Sequence, residues 1–256
     1  MEYSDIPATR ISGSGRVTLR DFGTVKVSGS GRISPERIST SGSSTIPGGL
    51  HVGELKTSGS SRVEGDIQAE QIEFSGSASI EGDAHFKHLS KSGSLGVEGG
   101  VYGNTMRVSG STTIRGDAVI ADELRASGSI RVGGDIDSKG SVELRGVFKV
   151  RGRIKARHFE GRLGRKLSVA EEGIEADVVD VEPLPRDWDR EGELKTKDIV
   201  GVEEVTLENV ECDNVRGGRV VIHGGCRVNG KVEYTESIKV DPNSYLAQEP
   251  VKIEKS

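Results

Sequence analysis

One ten-residue phrase recurs along the first half of the chain. It reads SGSSTIPGGL from Ser41, SGSSRVEGDI from Ser58, SGSASIEGDA from Ser75, SGSLGVEGGV from Ser92, SGSTTIRGDA from Ser109 and SGSIRVGGDI from Ser127. The starts lie 17 residues apart, with one step of 18. A fixed period of this length restricts the chain to a solenoid, one structural unit stacked on itself.

The columns of the repeat define the unit. Five residues after each Ser come Ile46, Val63, Ile80, Val97, Ile114 and Val132. Nine after it come Leu50, Ile67, Ala84, Val101, Ala118 and Ile136, and fourteen after it Leu55, Ile72, Leu89 and Met106. Neighbours of these columns are mostly polar, as in Arg62-Val63-Glu64, which is the two-residue alternation of strands. Ser-Gly and Gly-Asp pairs punctuate the columns. Glycine accepts tight corners, and aspartate caps its own turn. Each copy is therefore expected to form three short strands and three corners of an all-β, parallel β-helix. One coil buries only about four apolar side chains, roughly 1.5–3 kcal/mol each. Ordering its backbone costs about 1–2 kcal/mol per residue. The coils must then hold as a stack.

Composition sets outer limits. The 33% apolar content is low, but 36 glycines and only 4% aromatics suit a thin solenoid. A net charge of −5 gives nucleic acid no general support as a partner. Two cysteines, Cys212 and Cys226, make no disulfide framework, so a reducing compartment is expected. The start MEYSDIPATR has no apolar stretch of the signal-peptide kind, and no run of apolar residues is long enough to span a bilayer. A cytoplasmic protein is expected, with membrane association an open alternative.

In chain order, residues 1–9 read as a loose tail, and 10–166 as the main β-helix, with irregular turns at SGSGRVTL and SGSGRISP. After an acidic and proline-bearing connection at 183–193, strand signals resume. Residues 167–250 read as a second β-helix-like lobe, in which Leu207, Ile222 and Ile238 are expected to share a file. Residues 251–256 read as a tail.

Between Arg145 and Lys166 there are nine Lys or Arg and one acid, Glu160. From Val169 to Glu193 there are ten acids and two arginines. Lys149, Arg151, Arg153, Lys155 and Arg157 are expected to line one longer strand. They either pair with the acidic segment across neighbouring turns or form a stripe for an anionic surface. Chemistry is sparse elsewhere. His51 and His85 share an outward column. The Asp66, Asp83, Asp117 and Asp135 column suits corner capping better than calcium, because the nine-residue calcium repeat is missing. Cys212, Cys226 and His223 lack a fourth ligand for zinc. No phosphate-binding GxxxxGK[ST] occurs. No cofactor, metal or enzymatic activity is expected.

The SGS…V-x-G-D-I copies resemble bactofilins, the polymer-forming cytoskeletal proteins, most closely over 41–137. The segment VRGGRVVIHGGCRVNGKVEYTESIKV, from Val215 to Val240, also resembles longer members. The resemblance implies a right-handed β-helix that polymerises end to end without nucleotide into a cytoplasmic filament or scaffold, itself being the partner. It also implies an apolar end contact, for which Phe148 and Phe159 are the candidates. The chain differs from the family in its second lobe and in lacking an apolar N-terminal motif. The other reading is a soluble adaptor that binds a partner protein or an anionic membrane through its faces.

Overall fold

A computed structural model describes residues 8–19, 23–184 and 192–254. Most of the expected N-terminal tail, most of the 183–193 connection with its single Trp, and the last two residues lie outside the described residues. The described residues contain strands and no helix. The chain divides into two compact units, 1–120 and 121–256.

The first unit carries β1 (Thr9–Leu19), β2 (Gly23–Ile33), β3 (Arg37–Pro47), β4 (Leu50–Glu64), β5 (Ile67–Ile80), β6 (Ala84–Val97), β7 (Val101–Ile114) and the first residues of β8 (Ala118–Val132). From β3 to β7 the pairing is parallel and in step, each residue registering with the one 17 further on. Ile46, Val63, Ile80, Val97 and Ile114 form one internal file, as the repeat requires, and all are buried. Leu50, Ile67, Ala84 and Val101 form a second, and Leu55, Ile72, Leu89 and Met106 a third.

Two features differ from the sequence reading. First, the coil is not three separate strands. Pairing runs unbroken for 14 or 15 residues through the Ser-Gly-Ser corner, because the corner is itself part of the ladder. Gly42, Gly59, Gly76, Gly93 and Gly110 all have φ between 90° and 109° and sit directly over one another. A Cβ on any of the last four would overlap the carbonyl oxygen of the glycine one coil below. Glycine is needed there twice, for its dihedral and for its missing side chain.

Second, the irregular copies at Ser12 and Ser28 are not coils. β1 pairs antiparallel with β2, and β2 antiparallel with β3. Ser-Gly-Ser reads the same in both directions, so Gly13, Gly29 and Gly42 still align, flanked by serines. The reversal lets Val25, Val27 and Ile33 bury themselves against the first coil.

A further file escaped the sequence columns: Thr40, Thr57, Phe74, Lys91 and Val108, all buried. Its members share no polarity, so no pattern marks it. Thr40 and Thr57 donate to Ser44 (3.0 Å) and Ser61 (2.9 Å) within their own coils.

The second unit continues with β9 (Ile136–Ser138), β10 (Ser141–Val150), β11 (Ile154–Lys155), β12 (His158–Leu163), β13 (Ser168–Ala170), β14 (Ile174–Pro183), β15 (Leu194–Thr196) and β16 (Asp198–Leu207). β17 (Val210–Cys212), β18 (Asn214–Ile222), β19 (Arg227–Val228), β20 (Val232–Val240), β21 (Tyr245–Leu246) and β22 (Val251–Lys252) complete it. All pairing here is parallel: β8 with β10, β10 with β12, β12 with β14, β14 with β16, β16 with β18 and β18 with β20. Pairing of β12 with β14 runs across 166/167, where the sequence suggests a new lobe. Leu207 and Ile222 register with Val240, not Ile238, because a bulge between Gly217 and Arg219 shifts the ladder. Ile238 instead stacks on Val220. Val251 and Lys252, expected in a loose tail, pair with β20.

The corner ladder sets the first prediction. Gly76→Ala places a methyl group against backbone and forces a disfavoured φ, so urea unfolding should show a loss of about 2 kcal/mol or more. Gly96→Ala meets nothing within 4 Å and should stay within about 0.5 kcal/mol of the parent. Equal losses in the two variants would remove the corner ladder from the account.

Candidate functional site

Phe148 and Phe159 lie inside the second unit. Both are buried, and their rings meet edge to face at 6.2 Å. Coils flank them on both sides, since β10 lies between β8 and β12, and β12 between β10 and β14. They fill the core and present nothing to an end surface. The expectation of an end contact there is corrected by this packing.

The basic segment is not one strand. β10 ends at Val150, and the chain turns at 151–153 before β11. Lys149, Arg151, Arg153, Lys155 and Arg157 are all exposed, but they are spread around that turn. Arg153 and Lys155 share Glu175 at 3.6 and 3.9 Å. Nearby, Arg125, Arg145 and Arg162 thread between acids of adjoining coils. Arg125 reaches Glu143 at 3.1 Å, Arg145 reaches Glu160 at 3.4 Å, and Arg162 reaches Asp180 at 2.7 Å. Much of the basic segment is thus answered by the acids that follow it. Such exposed pairs contribute little individually and gain by forming a network.

The aspartate column does cap corners. Asp66 accepts the N–H of Asp83 (2.8 Å), Asp83 that of Gly100 (2.7 Å) and Asp135 that of Arg153 (2.8 Å). Cys212 and Cys226 are buried free thiols. Burial pushes both up, Cys226 to about 11, which keeps them protonated and unreactive. His85 stacks on Tyr102 at 4.9 Å. No group of three or more metal-ligating side chains occurs among the described residues. No described helix is long and apolar enough to cross a membrane.

Lys91 is the residue the sequence gave least reason to notice. It is 3% exposed. Its ammonium donates to the corner carbonyls of Gly93, Ser109 (3.3 Å) and Ser111 (3.0 Å), spanning two coils. Desolvation lowers its pKa to about 8. Only position in the unmarked file distinguishes it from a surface lysine. Its folded pKa lies below the unfolded value, so between about pH 8 and pH 10.5 the unfolded chain binds more protons. This group therefore makes stability rise with pH across that window. Lys91→Met should remove that component of the rise and match or exceed the parent at pH 7. Parallel pH–stability curves for the two proteins would show that Lys91 does not titrate as its burial requires.

The two terminal edges differ. At the N-terminal end of the first unit, β1 and β2 lie antiparallel against the first coil. At the C-terminal end of the second unit, β20 covers β18 along its length. β22 covers β20 only at Glu233 and Tyr234. Residues 237–240 therefore have no strand on their outer side among the described residues. Asp241 donates its N–H inward to Ile222 (2.8 Å). Alternation then turns the N–H and C=O of Ile238 and Val240 outward. Ile238, Val240 and Leu246 are only half-buried, and Tyr245 and Val251 are exposed.

The chain matches no family model, and no curated protein or solved structure is significantly similar to it. Its class is set by the fold, a parallel β-solenoid with coils about 17 residues apart. Around it stand one antiparallel cap and one open strand edge.

Proposed function

We propose that this chain is a structural protein that self-associates without nucleotide, building a scaffold or filament of the kind that bactofilins build. The observation that carries the reading is the open edge at 237–240, with Ile238 and Val240 half-buried beneath it. Unpaired strand edges recruit further strands. A second copy that pairs there would satisfy the outward backbone groups and bury the apolar rim. Charge favours growth from head to tail. Residues 232–254 carry five carboxylates and two lysines, whereas β1 carries Arg10 and Arg16 and no acid. The resemblance of the repeats places the same protein in the cytoplasm. The adaptor reading, with the 149–157 stripe as docking surface, is weakened because Arg153 and Lys155 already face Glu175.

Val240→Pro tests this directly. Proline removes an outward N–H that the fold does not use, and edge strands tolerate it at such positions. Sedimentation velocity should find concentration-dependent oligomers of the parent, weakened by high salt, and monomers of Val240→Pro with an unchanged strand spectrum. A parent that stays monomeric at every concentration sinks the proposal, and a variant that assembles as the parent does moves the contact elsewhere.

A further inference from the structure

Charge is distributed unevenly within the first unit. On the coils, Arg37 pairs with Glu54, Lys56 with Glu73, Arg62 with Glu81, Lys87 with Glu70 and Arg115 with Glu98. The two antiparallel strands differ. β1 and β2 contain no carboxylate, and their four cations face one another in register, Arg10 against Arg32 and Arg16 against Lys26. Like charges directly opposite each other across a strand pair are destabilising. The hairpin carries this cost twice.

Arg16 and Lys26 also line a groove of about 750 Å³ that runs across β1 to β5. Their row continues through Thr45 to Arg62, so Lys26 and Arg62 are two strand spacings apart, about 10 Å. The other wall is a file of serine hydroxyls that includes Ser43, Ser60 and Ser77. No acidic residue lines the groove.

We propose that this groove binds a soluble oligophosphate, a short chain of linked phosphate groups. Phosphate oxygens accept from several donors at once and carry enough charge to offset clustered cations, and guanidinium suits them in geometry. Three cations spread over about 10 Å fit a ligand whose charge is also spread. The recess favours a narrow ligand over a bilayer, because a flat surface cannot follow the wall of hydroxyls inward. A ligand there would offset the Arg16–Lys26 repulsion that the fold leaves uncompensated. Arg62, held by Glu81 at the rim, is a third and partly neutralised donor.

The test is calorimetric titration of the full chain with sodium tripolyphosphate. Saturable binding is expected. Arg16→Gln with Lys26→Gln should weaken it at least about tenfold, the scale of losing charged hydrogen bonds. Arg10→Gln with Arg32→Gln removes the same charge from the same strands, but away from the groove. It should cost less than about threefold. Glu81→Gln frees Arg62 and should tighten binding. Both double variants relieve repulsion, so their melting temperatures should hold or rise. Should the groove double variant not fold, Lys26→Gln alone carries the test, with a loss of about threefold or more. Equal weakening in the two double variants would mean diffuse charge and overturn the site. So would the absence of saturable binding, or capture of phosphatidylglycerol vesicles in its place.

Discussion

Each coil rests on the one below at the corner glycine, where backbone meets backbone with no side chain between. That contact fixes the rest. It demands a positive φ at Gly42, Gly59, Gly76, Gly93 and Gly110 and holds the neighbouring serines in files. It also keeps the ladder continuous through the bend. Because pairing never lapses there, the apolar files on either side stay in step, and a shift at one coil would pass to the next. The same corner lets the stack begin without new chemistry. A palindromic Ser-Gly-Ser presents the same profile to a strand of either direction, so β2 and β1 reverse course while glycine stays over glycine.

Inside this frame the side chains are surprisingly free. The file holding Thr40, Thr57, Phe74, Lys91 and Val108 passes from hydroxyl to ring to ammonium to isopropyl within five coils. Each solution is local. The threonines donate within their own coil, and Lys91 donates to carbonyls at the corners of two coils. A buried polar group is tolerable when it is hydrogen-bonded. The corners supply such acceptors at regular intervals, so the stack accommodates a charge that a purely apolar core would expel.

That freedom explains what was legible in the sequence. Val63, Ile80, Val97 and Ile114 could be read because their column keeps one polarity and the period is constant. The mixed file could not, since it keeps none. Strand direction was hidden at Ser12 and Ser28, where a palindrome erases the sign of the chain. Phe148 and Phe159 looked like end residues because the regular copies stop near them, yet parallel pairing continues beyond both. Ile238 was assigned to the file of Leu207 and Ile222 by spacing alone, and a bulge after Gly217 moved the register to Val240. The basic segment was legible as charge but not as shape. Cations that alternate like a strand were broken at 151–153, and their acids came from the next coil.

The distribution of pairing partners separates two kinds of surface. On a solenoid face, a cation on one coil lies next to an acid on the adjoining coil almost automatically, once the period brings them into file. Lys56 with Glu73 and Lys195 with Glu211 arise this way, from one face of each unit. Such pairs follow from register, and they leave little charge for a ligand. A cap of reversed strands breaks that register rule, because its cations no longer fall 17 residues from an acid. Unmatched charge therefore collects where the repeat ends and not along its length. The same holds for backbone groups, which are satisfied coil upon coil and left open only at a terminal strand such as β20. In a fold this regular, binding capacity of either kind is displaced from the repeats to the places where the repetition stops.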